Sequence, residues 1–231
     1  MLEKYLEKIN NETKVEDEIN ILKAELLESK KPSLKEPILY FLESELKNIP
    51  SGFSKTSFNE LNVIPYIAKR SLLEHLPIQR HPIPYILVRY IENEIPFYFF
   101  LFRESGSTET RLVGRKGLPG GHVDGVDAVL DDNNNIKPKE TIKIGLYREL
   151  LEEVGIPKEE IKSIELVGFI KETEERSVGA DHLGLVYLID VAHKDYKSME
   201  EGIISGAWLR KEEVNPDELE SWARLVYENI I

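Results

Sequence analysis

The sequence predicts a mixed α/β (α+β) fold, a mixed sheet between helices with an N-terminal helical extension. Three observations carry that prediction. Tyr85-Ile86-Leu87-Val88-Arg89-Tyr90 and Phe97-Tyr98-Phe99-Phe100-Leu101-Phe102 are aromatic and β-branched runs joined by Glu92-Asn93-Glu94, which predicts a hairpin. Strand-like and helix-like segments then interleave to the C-terminus. Before them, some fifty residues rich in Glu, Lys and Leu place Val15, Ile19, Leu22 and Leu26 at helical spacing.

In chain order, helices are predicted over 12–29 and 34–47, ended by Asn48-Ile49-Pro50-Ser51-Gly52. Residues 1–56 form the helical extension in this reading. Residues 57–231 form the main domain, with a lead-in over 57–82 whose Pro77, Pro82 and Pro84 mark an irregular connection. After the hairpin, strands are predicted over 164–171, 183–191 and 203–209, and helices over 141–154 and 216–230. Asn215 is placed to cap the last helix, with Pro216 at its first position and Asp217 and Glu218 in its first turn.

With 231 residues, 41% hydrophobic and 31% charged, the chain is long enough for one sizeable core and an appendage. A formal net charge of -12 argues against wrapping duplex nucleic acid, which needs a basic surface. The absence of cysteine excludes disulfides, thiolate metal sites and cysteine nucleophiles. The apolar stretch from Ile95 to Phe102 is too short to span a bilayer, and the N-terminus lacks the pattern of a signal peptide. The expectation is a cytoplasmic protein with no membrane partner.

The chemistry concentrates on the predicted helix 141–154. Ile142, Leu146, Leu150 and Val154 make an apolar stripe, while Glu149, Glu152 and Glu153 stand at i, i+3 and i+4. Three carboxylates held together near a core repel unless a cation neutralises them, and hard oxygen ligands suit Mg2+ or Mn2+. Taken alone, such a string is a solvated helix face. Its context points further, because Gly155 is placed to end the helix in a left-handed conformation. Upstream, Gly120-Gly121 allows close backbone approach to a ligand.

These residues resemble the Nudix hydrolase superfamily. Its signature is glycine, five residues, Glu, seven residues, Arg-Glu, an aliphatic residue, any residue, Glu-Glu, any residue, Gly and an aliphatic residue. From Glu140 to Ile156 the chain matches without a gap, residues 141–147 filling the spacing before Arg148. The departure lies upstream: residues 122–139 put 18 residues between Gly121 and Glu140 where the signature has five, an excess of 13. Val126 to Leu130 and Ile136-Lys137 around Asp131-Asp132-Asn133-Asn134-Asn135 predict a small hairpin grafted there. Gly-Gly-His-Val at 120–123 and Asp-His-Leu-Gly-Leu-Val at 181–186 are similar to a group of bacterial Nudix proteins described as predicted phosphoesterases.

The resemblance implies metal-dependent hydrolysis of the pyrophosphate linkage in a nucleoside diphosphate joined to another moiety. It implies Glu149, Glu152 and Glu153 as metal ligands, directly or through water, with the Gly121 carbonyl completing the shell. Arg148 then orients a glutamate and Glu140 has a positional role. The general base comes from the box (Glu152, Glu153) or from a later loop, where Glu174 and Glu175 stand beside Glu172 and Asp181. Arg111, Arg115 and His122 are the candidate substrate contacts, and the partner is a small phosphorylated molecule, a nucleotide derivative. Trp208 resembles the aromatic residue before the last helix and is assigned to core packing.

Two rival readings are carried. An isopentenyl-diphosphate isomerase would need a catalytic cysteine, which the chain lacks. A non-catalytic nucleotide-binding regulatory module on the same scaffold would have no need of so many clustered carboxylates. The N-terminal helices either pack back on the domain or make a homodimer.

Overall fold

The computed structural model describes residues 36–73, 78–103, 114–173, 179–199 and 203–231. The helix expected over 12–29, and the packing or dimer role resting on it, lie outside the described residues.

The helix expected over 34–47 is not formed over its described residues, 36–47. Its place is taken by strand β1 (Pro37–Leu42) and a 3-10 turn at Glu43–Glu45. The reason is local: Ile38-Leu39-Tyr40-Phe41-Leu42 is a continuous apolar run with Ile38, Leu39 and Phe41 all buried, which a half-solvated helix cannot use. β1 pairs antiparallel with β3 (Tyr66–Lys69) and touches the start of β4 (Gln79–Glu92). The short β2 (Gly52–Ser54) pairs with β7 (Ile161–Lys171). Residues expected in the helical extension thus supply two strands.

The predicted hairpin forms between β4 and β5 (Ile95–Arg103). Asn93 and Glu94 both adopt positive φ, 50° and 67°, the conformation a two-residue turn needs to match strand twist. β5 carries β6 (Lys116–Gly117) and β9 (Ile203–Leu209), both antiparallel. β7 lies antiparallel to β8 (His182–Val191). β8 in turn runs parallel to β4, from His81 opposite His182 to Arg89 opposite Asp190. The strand order is β2-β7-β8-β4-β1-β3, with β5 branching from β4.

Pro82 and Pro84 sit inside β4 without breaking it. The His81 N–H donates to the Asp181 carbonyl on the β8 side at 2.9 Å, so the next residues alternate away from β8. The missing proline donors therefore fall on the opposite side, where Ile86 N–H meets the Pro119 carbonyl at 2.8 Å.

Alternation along β4 and β5 feeds two cores. Ile86, Val88, Phe99 and Leu101 pack with Leu146, Leu150 and Val154 of helix α1 (Pro138–Glu149) and the turn after it. Tyr85, Leu87, Tyr98 and Phe100 face Leu219, Ala223 and Val226 around helix α2 (Ser221–Ile230). The sheet thus lies between helices, as predicted. A third cluster packs Leu39, Phe41 and Phe58 with Ile142 and Phe169. Asn215 accepts from the Asp217 N–H, but it caps a 3-10 turn at Pro216–Glu218 and α2 starts later, at Ser221. Trp208 packs at the sheet as expected, its ring 5.3 Å from that of Phe99. Among the described residues no helix is long and apolar enough to cross a membrane.

Arg89 and Asp190 bridge the parallel pair through bonds of 2.6 and 3.0 Å, and Ser163 adds a third bond to the carboxylate. The Arg89 hydrogen bond holds the Asp190 carboxyl below its ordinary pKa. The resulting stability is present above the unfolded-state value of about 3.9 and lost as pH falls through the lower folded value. Asp190→Asn should cost up to about 1 kcal/mol at neutral pH. Denaturant unfolding curves of the two proteins should converge in acid.

Candidate active site

Helix α1 begins with Pro138 at its first position and Glu140 in its first turn, both favourable where N–H groups are unpaired. It is α-helical to Glu149 and then widens into a π turn over Leu150–Val154. Gly155, at φ 71°, ends it as predicted, and Ile156 N–H closes back on the Leu150 carbonyl at 3.2 Å. The apolar stripe is fully buried, with Ile142, Leu146, Leu150 and Val154 each at most 1% exposed. Burying that stripe fixes where the glutamates emerge.

The glycine pair meets the helix despite the insertion. A side chain at Gly120 would run into the Pro84 carbonyl oxygen, so only glycine lets this loop lie against β4. The Gly120 N–H donates to Glu153 at 2.7 Å. A Cβ on Gly121 would stand 2.5 Å from the Glu149 carboxylate. Gly121, Glu149 and Glu153 are therefore one neighbourhood.

Arg148 joins that neighbourhood to the inserted segment. It donates from Nη1 to Glu149 at 2.8 Å and to Glu152 at 3.1 Å, and from Nη2 to the His122 carbonyl at 2.8 Å. Its other bonds go to Asp127, at 2.8 and 3.2 Å, with Asp124 3.6 Å away. Burial works against the guanidinium charge, but these carboxylates outweigh it and raise its pKa. The insertion is thus anchored. Asp127 belongs to a 3-10 turn at Gly125–Asp127 and its carboxylate also accepts from the Asp124 N–H. Farther along, Leu130 bridges Ile136, and Asp131 accepts from the Asn133 and Asn135 N–H groups, a compact turn in place of a full hairpin.

The three glutamates differ. Glu149 is 8% exposed, and burial pushes its carboxyl up to about 7 against the pull of Arg148. The Glu152 side chain is exposed. Glu153 is fixed by Gly120. An oxygen-only donor set with one buried, incompletely neutralised carboxylate fits a hard divalent cation.

The His122 ring packs with two other imidazoles. Its Nε2 lies 3.2 Å from Nε2 of His182, and ring centroids of His81, His122 and His182 are 5.1 to 5.5 Å apart. Burial lowers the His81 pKa to about 3 and that of His122 well below its ordinary value.

Other predicted residues stand apart. Arg115 donates to the Asp217 and Leu219 carbonyls at 3.2 and 3.1 Å, and Lys116 pairs with Glu218. Arg111, Glu174 and Glu175 lie outside the described residues. The sequence reading missed Asp127, whose only signal was its place in the insertion. It also missed His81, which becomes a neighbour of His182 only through parallel pairing of β4 with β8.

A family model described as the NUDIX domain matches residues 85–230. Protein YmaB of Bacillus subtilis (strain 168) is 30% identical over 166 residues, spanning 68% of this chain and 74% of that protein. The crystal structure of Tm1382, a protein assigned to the Nudix hydrolases, superposes with a TM-score of 0.65 at 21% identity. That superposition covers 84% of this chain and 97% of the other.

Asp127 is 3% exposed and its loss would leave Arg148 half-buried with fewer partners. Asp127→Asn should destabilise the protein by about 1–3 kcal/mol. A fall in the denaturation midpoint measures it.

Proposed function

The chain belongs to the Nudix family, and from that membership we propose that it is a metal-dependent hydrolase. Its substrate is a nucleoside diphosphate linked to another moiety, cleaved at the pyrophosphate. The observation that carries the reading is the meeting of Gly120 and Gly121 with Glu149 and Glu153, with Arg148 bound to Glu149 and Glu152. Glu149, Glu152, Glu153 and the Gly121 carbonyl would hold Mg2+ or Mn2+. A divalent cation there supplies charge neutralisation of the pyrophosphate oxygens and activation of the attacking water.

The protein's own part is to position and to move a proton. Arg148 holds Glu149 and Glu152 in orientation while Asp127 and the His122 carbonyl hold Arg148. Water adds to phosphorus, the bridging P–O bond breaks, and a carboxylate takes the proton. Glu152 or Glu153 of the box, or Glu174 or Glu175, fills that last role. Arg111 is assigned to the substrate phosphates, while Arg115 is tied to the Asp217 and Leu219 carbonyls ahead of α2. A regulatory nucleotide-binding module is the second reading, disfavoured because binding alone would not need Glu149, Glu152 and Glu153 together.

The test is phosphate or nucleotide release from a panel of nucleotide sugars, dinucleoside polyphosphates, ADP-ribose and oxidised nucleotides, with Mg2+ or Mn2+. Turnover of at least one class is expected, falling by at least about 100-fold in Glu152→Gln and Glu153→Gln. Tight binding without turnover across the panel would favour the regulatory module. Replacing Glu174 or Glu175 by Gln should lower kcat with little change in KM for whichever residue is the base.

A further inference from the structure

We propose that His81, His122 and His182 form a second metal site, distinct from the glutamate box, that takes a late divalent transition ion of the Zn2+ type. The three imidazoles come from different parts of the chain. His81 opens the parallel stretch of β4, His182 opens β8 directly opposite it, and His122 follows the glycine pair. One ligand nitrogen from each ring can be chosen so that all lie within 4.8 Å of one another.

The spacing has the right scale. Zinc to imidazole nitrogen bonds of about 2.0–2.1 Å put two tetrahedral ligands roughly 3.3 Å apart. The Nε2 atoms of His122 and His182 are 3.2 Å apart. His81 completes the triangle from a position 1% exposed, and neither of its ring nitrogens has a hydrogen-bond partner among the described residues. A buried imidazole without any partner is costly, and a bound cation would give one nitrogen its partner.

Donor chemistry separates this site from the glutamate box. Three imidazoles without a carboxylate favour zinc, copper, nickel or cobalt over magnesium or manganese, whereas the glutamates offer only oxygen. Three guanidiniums stand near the rings, Arg70, Arg80 and Arg148; Arg80 is tied to Glu43, and Arg148 to Asp127, Glu149 and Glu152. Three protein ligands leave a fourth tetrahedral position for water or another small donor. The site stands on the imidazoles alone and holds even if the hydrolase reading fails.

The full chain, stripped with chelator and dialysed, is titrated with Co2+ and separately with Zn2+, both in excess Mg2+. One equivalent of Co2+ should bind and give the intense visible absorption of a four-coordinate ion, and Zn2+ should displace it. His81→Gln and His182→Gln should lose that absorption. They should weaken Zn2+ binding by more than the roughly 10- to 100-fold that loss of an outer-shell partner costs. Glu152→Gln should keep both. Zn2+ should raise the Tm of the unaltered protein and leave that of the variants in place. His122→Gln and His182→Gln, at rings that are not fully buried, serve if the buried His81→Gln variant fails to fold. The proposal is overturned if Co2+ gives no such absorption, if the histidine variants keep it, or if Glu152→Gln loses it as well. The cluster is then a packed trio of rings.

Discussion

Arg148 is the interaction on which the candidate site depends. One guanidinium reaches Asp124, Asp127, Glu149 and Glu152, four carboxylates against one positive charge, and also holds the His122 carbonyl. Its planar fork of donors allows this, where a lysine ammonium could not span the same set. Without it, the inserted segment and the helix would repel. With it, the two are joined and a negative excess remains, which is the condition for recruiting a divalent cation.

The same contact explains how an insertion of this length leaves the glycine pair in place. Gly120 is pressed against β4 at Pro84, and Asp127 is drawn to Arg148, so the chain leaves and re-enters the site at two fixed points. Extra residues between fixed points cost little, because loop entropy grows slowly with length. Lys137 N–H on the Val129 carbonyl and the Leu130–Ile136 bridge close the excursion before α1 begins.

Legibility followed the range of the interactions involved. The β4–β5 hairpin, the later strands, the apolar stripe of α1 and the stop at Gly155 were all readable, because period, turn chemistry and capping are local. The segment 37–45 was misread as helix because Glu43, Glu45 and Lys47 imitate a helical polar face beside an apolar run, and only pairing with β3 and β4 decides the matter. The π turn was equally hidden, since nothing in Leu150-Leu151-Glu152-Glu153-Val154 distinguishes it from α-helix. At the candidate site, the glutamates, Arg148 and the glycines were singled out by the family resemblance, whose signature they match. Asp127 and His81 were not, since their partners lie 21 and 101 residues away and meet them only in the folded chain.

Gly120-Gly121-His122 is where the two halves of this geometry divide. The backbone of the tripeptide faces the helix: the Gly120 N–H holds Glu153, Gly121 leaves room for Glu149, and the His122 carbonyl holds Arg148. The imidazole of His122 packs beside His182 of β8 and His81 of β4. Oxygen-bearing and nitrogen-bearing side chains thereby both meet this one short segment, the carboxylates at its glycines and the imidazoles at its histidine. The parallel pairing of β4 with β8 then does for nitrogen what the helix does for oxygen, bringing His81 and His182 together at adjacent strand positions. Any change that shifts this tripeptide must therefore disturb both sets of donors together.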